Sequence, residues 1–511
     1  MFKRQQNQLR AGVILGYVNL ALGTLIPFFY TPVMLKMLGQ EEYGLFSLSS
    51  SVISYLSLLK FGFGITITRY LSKYRAEENK EELEKVVGFY LLLYSAIALL
   101  ILIIGFSLTS QVDFIFSRSL TGQERFIMRK LMIVMTISTS VSLPISVFSS
   151  LTIAYERYIF RNILSIIGTV VAPLANLIAL WMGYRSVGMA IAGLTSQLIL
   201  LPWSMVFCIK KLNVHPRFAR LPGNLIKEMV YVSFFNFLGT VVDMLFWSTD
   251  KVLLGILASS VAVAIYNIGA TFNGMIVHLS TTISGVLTPK VTGMVVKNAD
   301  SRELTELFVR VGRLQFLIIG LVVSGFITFG KQFIEIWAGF DYQQSYYIAL
   351  LTIVPLSIPL IQNTGITIMV AQNKQKFRSV VYTIIAVINV ISTYCIIPYL
   401  GGIGAALCSC LAYLAGQGII MNIYYSRAIH LDIVYFWKNI IHMALVPAGM
   451  SFTAVLLLNV YEVANWSSFF IAVLIYSFIY GLLMYYLVMN NYEKDIVRVP
   501  FKKIKVFLLQ K

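Results

Sequence analysis

Residues 11–35 read AGVILGYVNLALGTLIPFFYTPVML. The stretch carries no charge, exceeds the about 20 residues a helix needs to cross a bilayer, and follows a polar, basic start, MFKRQQNQLR. Thirteen further runs of this kind follow. Spans are predicted near 11–38, 43–66, 86–109, 128–150, 162–182, 187–208, 229–257, 260–288, 314–330, 346–370, 379–399, 403–424, 439–459 and 466–489. The gaps between them leave no room for a soluble catalytic domain. Composition agrees, with 58% hydrophobic and 12% charged residues and a mean hydropathy of +0.79, far from the soluble mix. A transmembrane barrel would alternate polar and apolar residues over strands of about 10, which this chain does not do. The expected class is an all-α polytopic membrane protein with 14 transmembrane helices. No small-residue cleavage site follows the first run, so it is read as an uncleaved first helix.

Orientation follows from Lys and Arg, because basic loops stay on the cytoplasmic side. With the amino terminus inside, 31 of the 40 basic residues fall in cytoplasmic segments, 8 fall outside, and Lys60 lies within a span. Both termini are then cytoplasmic. The basic loops are 69–85, 210–227 and 290–313, with a basic tail from Lys494 to Lys511. This asymmetry accounts for most of the net charge of +18 without a nucleic-acid partner. Cys208, Cys395, Cys408 and Cys410 lie in or at the edge of spans with no metal-ligand spacing, and read as small core residues. No metal site is expected.

Compared with itself, the chain repeats. VGMAIAGLTSQL at 187–198 matches IGAALCSCLAYL at 403–414, AYERYIFRN at 154–162 matches AQNKQKFRS at 371–379, and MLGQEEYGLFSL at 37–48 matches ILASSVAVAIYNI at 256–268. The shifts are 216 to 220 residues. Six helices are thus repeated by six in the same orientation, a parallel repeat of two six-helix bundles plus two extra helices. The expected organisation is an N-terminal bundle over 1–210, a basic cytoplasmic linker over 211–228, a C-terminal bundle over 229–428, helices 13 and 14 over 429–490, and a cytoplasmic tail over 491–511. Two facing bundles can rock about a central cavity, which is the physical basis of alternating access.

The segments TPVMLKMLGQEEYGLFSL, TDKVLLGILASSVAVAIYNI and GGIGAALCSCLA, with the twelve-plus-two helix count, resemble the multidrug, oligosaccharidyl-lipid and polysaccharide exporter superfamily. More narrowly the chain resembles the polysaccharide transporters that act as O-antigen or capsule flippases. The resemblance covers essentially the whole chain. It implies movement of an undecaprenyl-pyrophosphate-linked sugar unit across the bacterial cytoplasmic membrane, driven by a proton or sodium gradient. Besides the glycan lipid and membrane lipids, it implies polysaccharide polymerase or assembly proteins as partners. Two alternatives share the superfamily: a flippase for the lipid-linked peptidoglycan precursor, and a multidrug or cation antiporter. An enzyme is not expected. The longest outer segment, about 110–127, has one Asp, one Glu and no His. GFITFGKQ at 325–332 nearly matches a phosphate-binding loop but has Gln332 where Ser or Thr is required.

Ionisable groups inside spans are costly and point to function. Asn236, Asp243 and Asp250 recur every seven residues in helix 7, which predicts one shared face. The repeat places Tyr17, Thr24 and Thr31 on the equivalent face of helix 1. Helix 8 carries Asn267, Thr271, Gly274, His278 and Thr281 in a stripe, matched in helix 2 by Ser47, Ser51 and Ser54. Lys60 either snorkels to the interface, binds a cargo phosphate or pairs with Asp243. Asp243 either faces the cavity or forms an ion pair with Lys251 or Lys60. His278 is a proton carrier or a hydrogen-bonded structural residue, and Asp250 and Lys251 can pair at headgroup level. Arg69 belongs to the cytoplasmic mouth. Arg157, Arg161, Lys374 and Arg378 either attract pyrophosphate there or reflect topology alone. Pro27, Pro144, Pro173, Pro202, Pro355 and Pro359 permit bending in mid-span.

Overall fold

A computed structural model describes residues 2–219, 222–297, 299–458, 465–496 and 498. Among them no strand occurs, and twelve helices are long and apolar enough to cross a membrane. The helices are α1 (Phe2–Leu56), α2 (Phe63–Ala76), α3 (Lys80–Ser110), α4 (Val112–Ile115), α5 (Gly122–Ala154), α6 (Tyr158–Trp181), α7 (Arg185–Lys211), α8 (Gly223–Trp247), α9 (Thr249–Leu257), α10 (Ser260–Val296), α11 (Ser301–Trp337), α12 (Gln344–Ile361), α13 (Asn363–Ala371), α14 (Gln375–Tyr413), α15 (Met421–Arg427), α16 (Ile433–Leu458) and α17 (Trp466–Leu483). Single π-helical turns cover Leu414–Ile420 and Met484–Val488. Parts of the predicted basic linker (220 and 221), of the 13–14 connection (459–464) and of the basic tail (497, 499–511) lie outside the described residues.

Where the helices break is decided by glycine and tertiary contact, and the helices run through their prolines. Pro27, Pro144, Pro173, Pro202, Pro355 and Pro359 all lie inside helices. A straight α1 of 55 residues would be about 80 Å long at 1.5 Å per residue, over twice the hydrocarbon thickness. It turns at Gly39, whose φ of 76° is open to glycine. α14 turns likewise at Gly401, with φ 53°. Three predicted spans are not single helices. The 43–66 span gives way to a 3₁₀ turn, Ser57–Lys60, and a left-handed Phe61–Gly62 pair before α2. The 229–257 span breaks at Ser248 between α8 and α9. The 346–370 span breaks at Gln362 between α12 and α13.

The chain forms two compact units, Met1–Ile265 with Ile397–Gly401, and Tyr266–Ile396 with Gly402–Lys511. In the first, α5 packs between α3 and α7, and α6 between α1 and α7. Asn162 Nδ2 donates to the Gly12 carbonyl at 2.7 Å, and Asn19 Nδ2 to Ser165 Oγ at 3.1 Å, joining α6 to α1. Glu42, 7% exposed, accepts from Arg185 Nη1 at 2.7 Å and from the Ser186 amide at 3.1 Å. The first helix of the predicted C-terminal bundle, α8 with α9, packs within this unit.

In the second unit α11 is central, with α12 and α16 against it. Tyr480 Oη and Ser451 Oγ donate to the Leu317 and Ser324 carbonyls at 3.0 and 3.2 Å, fastening the last two helices to α11. Arg313 and Glu493 form a two-point ion pair at 2.6 and 2.8 Å, with the Val488 carbonyl accepting from Arg313 at 3.0 Å.

Local features recur at the spacing of the sequence repeat. Glu156 and Asn373, 217 residues apart, are both left-handed helix ends (φ 55° and 57°). At each, the next amide closes a six-residue turn, Arg157 to Thr152 and Lys374 to Met369, as in a Schellman cap. Asn213 and His430 are likewise left-handed (φ 52° and 62°). Phe160 stacks on Phe207 at 3.8 Å, and Phe377 on Tyr424 at 4.1 Å. Cys208 donates to the Phe148 carbonyl at 3.5 Å, whereas Tyr425 takes the corresponding place against Gly365, an exchange of large and small residues.

Candidate functional site

In the first unit, polar groups collect along α8. Along its first half, Gly62 lies so close that a Cβ there would stand 2.5 Å from the Ser233 carbonyl and 2.8 Å from Asn236 Cβ. Phe61 stacks on Phe237 with ring centroids 4.8 Å apart, and Thr66 and Ser233 share a buried hydrogen bond of 2.8 Å. The break in helix 2 therefore brings the half-buried Lys60, one residue before Phe61, to the part of α8 that carries the half-buried Asn236. Lys60→Arg is expected to retain more transport than Lys60→Ala if the cation meets a cargo phosphate. Equal activity of the two would leave Lys60 as a snorkelling residue.

Asp243 lies two turns further along α8 and is exposed on the surface of its unit, beside exposed Thr240. Asp250 does not share that face. The break at Ser248 reorients the chain, and Asp250 is only 1% exposed while Lys251 is half-buried. Around that break Tyr55 and Thr249 hydroxyls approach to 2.5 Å, and Ser54 Oγ donates to Ser248 Oγ at 3.4 Å. Ser54 and Tyr55 belong to α1, so this junction is held by helix 2.

In the second unit, α10 has two polar faces. Asn267 and Thr271 are half-buried and Gly274, His278 and Thr281 exposed, so the stripe expected from sequence lies on the outside of its unit. The opposite face, Asn273, Ser280 and Ser284, is buried and was not distinguished by sequence reading. Thr352 Oγ1 donates to Asn273 Oδ1 at 2.9 Å, and Asn363 Nδ2 to Ser284 Oγ at 2.9 Å. The break at Gln362 frees carbonyls from the helical ladder, and Ser280 Oγ donates to that of Leu360 at 2.9 Å. Asn422 does the same for the π-helical turn, donating to the Gln417 and Gly418 carbonyls at 2.9 and 2.8 Å. The i, i+7, i+11 spacing of Asn273, Ser280 and Ser284 was the available signal; the helix break whose carbonyl Ser280 meets is invisible in sequence.

Arg69 and Arg161 are exposed, and Arg378 is half-buried with its guanidinium 4.6 Å from the Tyr382 ring centre. Among the described residues, no group of three His, Cys, Asp or Glu could hold a metal ion. A carboxylate turned to lipid in mid-span costs about 2.5–3.5 kcal/mol on insertion scales.

The chain belongs to the polysaccharide biosynthesis protein family, whose profile matches residues 9–295. It is 21% identical over 502 residues to the uncharacterized membrane protein EpsK of Bacillus subtilis (strain 168), covering 95% of this chain and 96% of that one. Among solved structures, the lipid II flippase MurJ in an inward closed conformation is 14% identical, with a TM-score of 0.72, covering 93% of this chain and 98% of its own. An inward-facing multidrug resistance MATE family transporter is 15% identical, with a TM-score of 0.63, covering 83% and 99%.

Proposed function

We propose that this protein is a flippase that carries polyprenyl-pyrophosphate-linked oligosaccharide across the bacterial cytoplasmic membrane by alternating access, using a proton or sodium gradient. The observation that carries the reading is the pair of polar faces, Asn236 and Asp243 on α8 and Asn267, Thr271 and His278 on α10, which stand on the surfaces of their units within apolar spans. Such faces suit a hydrated glycan better than an apolar drug. Lys60 is the candidate for a cargo phosphate, and Arg69, Arg161 and Arg378 for its capture at the cytoplasmic side. Family membership supports polysaccharide over other cargo.

The architecture in this reading has fourteen spans. Two of the twelve candidates run 50 and 53 residues, and each is divided by a left-handed glycine, Gly39 or Gly401. The paired features 217 residues apart support a parallel duplication. Coverage favours the fourteen-helix plan: the MurJ likeness spans 93% of the chain and the MATE likeness 83%. A lipid-linked peptidoglycan precursor is the second reading, supported by that greater likeness of fold.

Lipid extracts of cells lacking the protein test the cargo. Accumulated polyprenyl-pyrophosphate glycan with lost surface polymer is expected, and its mass identifies the sugar unit. Unchanged glycan lipids with new sensitivity to cationic drugs would overturn the reading in favour of an antiporter.

A further inference from the structure

The sequence repeat divides the chain at the basic segment 211–228, yet the two compact units divide between Ile265 and Tyr266, inside α10. The difference is the placement of α8 and α9. Thr66 meets Ser233 at 2.8 Å, a Cβ at Gly62 would stand 2.8 Å from Asn236 Cβ, and Ser54 meets Ser248 at 3.4 Å. Further along, the Leu48 side chain fills the space where Gly255 would carry a Cβ, and the Ser260 carbonyl fills that of Gly44. Falling residue numbers on one side meet rising numbers on the other, so α8 and α9 lie antiparallel to α2 and the later part of α1 and touch them from end to end. Both members of the pair are broken at one level: the 3₁₀ turn Ser57–Lys60 directly follows Ser54 and Tyr55, which hold the break at Ser248. Ser119 Oγ donates to the Gly255 carbonyl at 2.5 Å and Ser260 Oγ to Glu124, fastening the end of α9 and the start of α10 to the same unit.

The linker is fastened there too. Glu84 of α3 is buried, accepts from the His215 amide at 3.1 Å and pairs with Arg217 Nε at 3.1 Å, while the Arg217 amide donates to the Glu84 carbonyl at 3.0 Å. A segment bonded into α3 through its backbone is a poor hinge. Beyond the division, Gly269 is held by the second unit, where a Cβ would stand 2.8 Å from Ile348 Cγ2 and 2.9 Å from the Ser345 carbonyl. We propose that α8 and α9 move as one body with α1–α7, and that α10 takes up the relative motion of the two halves between Ser260 and Gly269. In lipid, helices are held together by close approach at small residues and by hydrogen bonds, with no hydrophobic effect between them, and the seam of α8 and α9 with α1 and α2 uses both along its length. Short segments at the ends of elements absorb such motions. Rocking of the two sequence repeats would instead part α8 from α2, or α9 from α1, at one end of the seam in each state. What the motion carries rests on the flippase reading given above; the division into moving bodies does not.

The test closes the seam with disulfides in full-length protein whose four native cysteines are replaced by serine. Thr66→Cys with Ser233→Cys, and separately Ser54→Cys with Ser248→Cys, are oxidised in cells, with closure followed by loss of thiol alkylation. Both pairs are expected to close, and surface polymer made by the oxidised proteins should stay within about twofold of the reduced ones. A pair that does not close, or a larger loss of polymer restored by reduction, would overturn the proposal. A second measurement needs no transport. Spin labels at the exposed positions Ile103 on α3, Leu238 on α8 and Ile318 on α11 should give a narrower distance distribution for Ile103–Leu238 than for Ile103–Ile318 in the purified protein. An Ile103–Leu238 distribution no narrower than the other would also overturn it. If the label distances are as expected but cells lacking the protein accumulate no glycan lipid, the moving bodies stand and the flippase reading falls. If glycan lipid accumulates and a closed disulfide stops transport, the reverse holds.

Discussion

Asp243→Asn is expected to reduce translocation to background while the protein still folds and inserts. The substitution keeps the size of the side chain, removes the charge and exchanges one acceptor oxygen for a donating amide nitrogen. Asp243 is exposed on its own unit, where substitutions usually change stability by no more than about 0.5 kcal/mol. Loss of function with unchanged yield and unfolding temperature would report the charge and not the scaffold. The variant should match the parent in membrane yield and unfolding temperature while glycan lipid accumulates as in cells without the protein. Normal surface polymer in this variant would remove Asp243 from the transport path. The contrast with Asp250 sharpens the test, because Asp250 is buried and its replacement is expected to affect folding as well.

The largest effect on stability is expected at Arg313 and Glu493. Their side chains are 8% and 0% exposed, and two parallel hydrogen bonds join them. Removing one partner, as in Arg313→Ala or Glu493→Ala, strands a buried charge and should cost about 3–5 kcal/mol. The readout is unfolding temperature and yield of monodisperse protein. Arg313→Lys should recover little, since an ammonium cannot reproduce the guanidinium fork. Replacing both residues with apolar ones of similar volume should recover most of the loss. A small effect of either single substitution would show that the pair is hydrated in the membrane. Arg75 and Glu156, joined at 3.1 Å but 28% and 42% exposed, provide the control, at no more than about 1 kcal/mol.

Much of the architecture was legible because a bilayer demands long apolar helices, and length and composition show those directly. The spans near 86–109, 128–150, 162–182 and 187–208 all appear as helices. The five positions of the helix 8 stripe, Asn267 to Thr281, do lie on one helix, α10. The same reasoning failed for Asp250. Its spacing from Asp243 is seven residues, but the break at Ser248 destroys the periodicity on which the reading depends. The buried polar face of α10 escaped notice because its partners, the Thr352 hydroxyl, the Leu360 carbonyl and the Asn363 amide, lie 79 or 80 positions away.

The sequence by itself determined that this is a helical membrane protein, because hydropathy is a property of each segment in its solvent. Tertiary structure alone decided where the helices break, which charges are covered, and which hydroxyls meet a partner. Gly62 is left-handed beside a close-packed α8, Asp250 is buried while Asp243 is open, and Thr393 lacks the bond that Thr383 makes. Each of these depends on contacts between segments distant in the chain or on helix geometry at a break, and local composition carries no record of either.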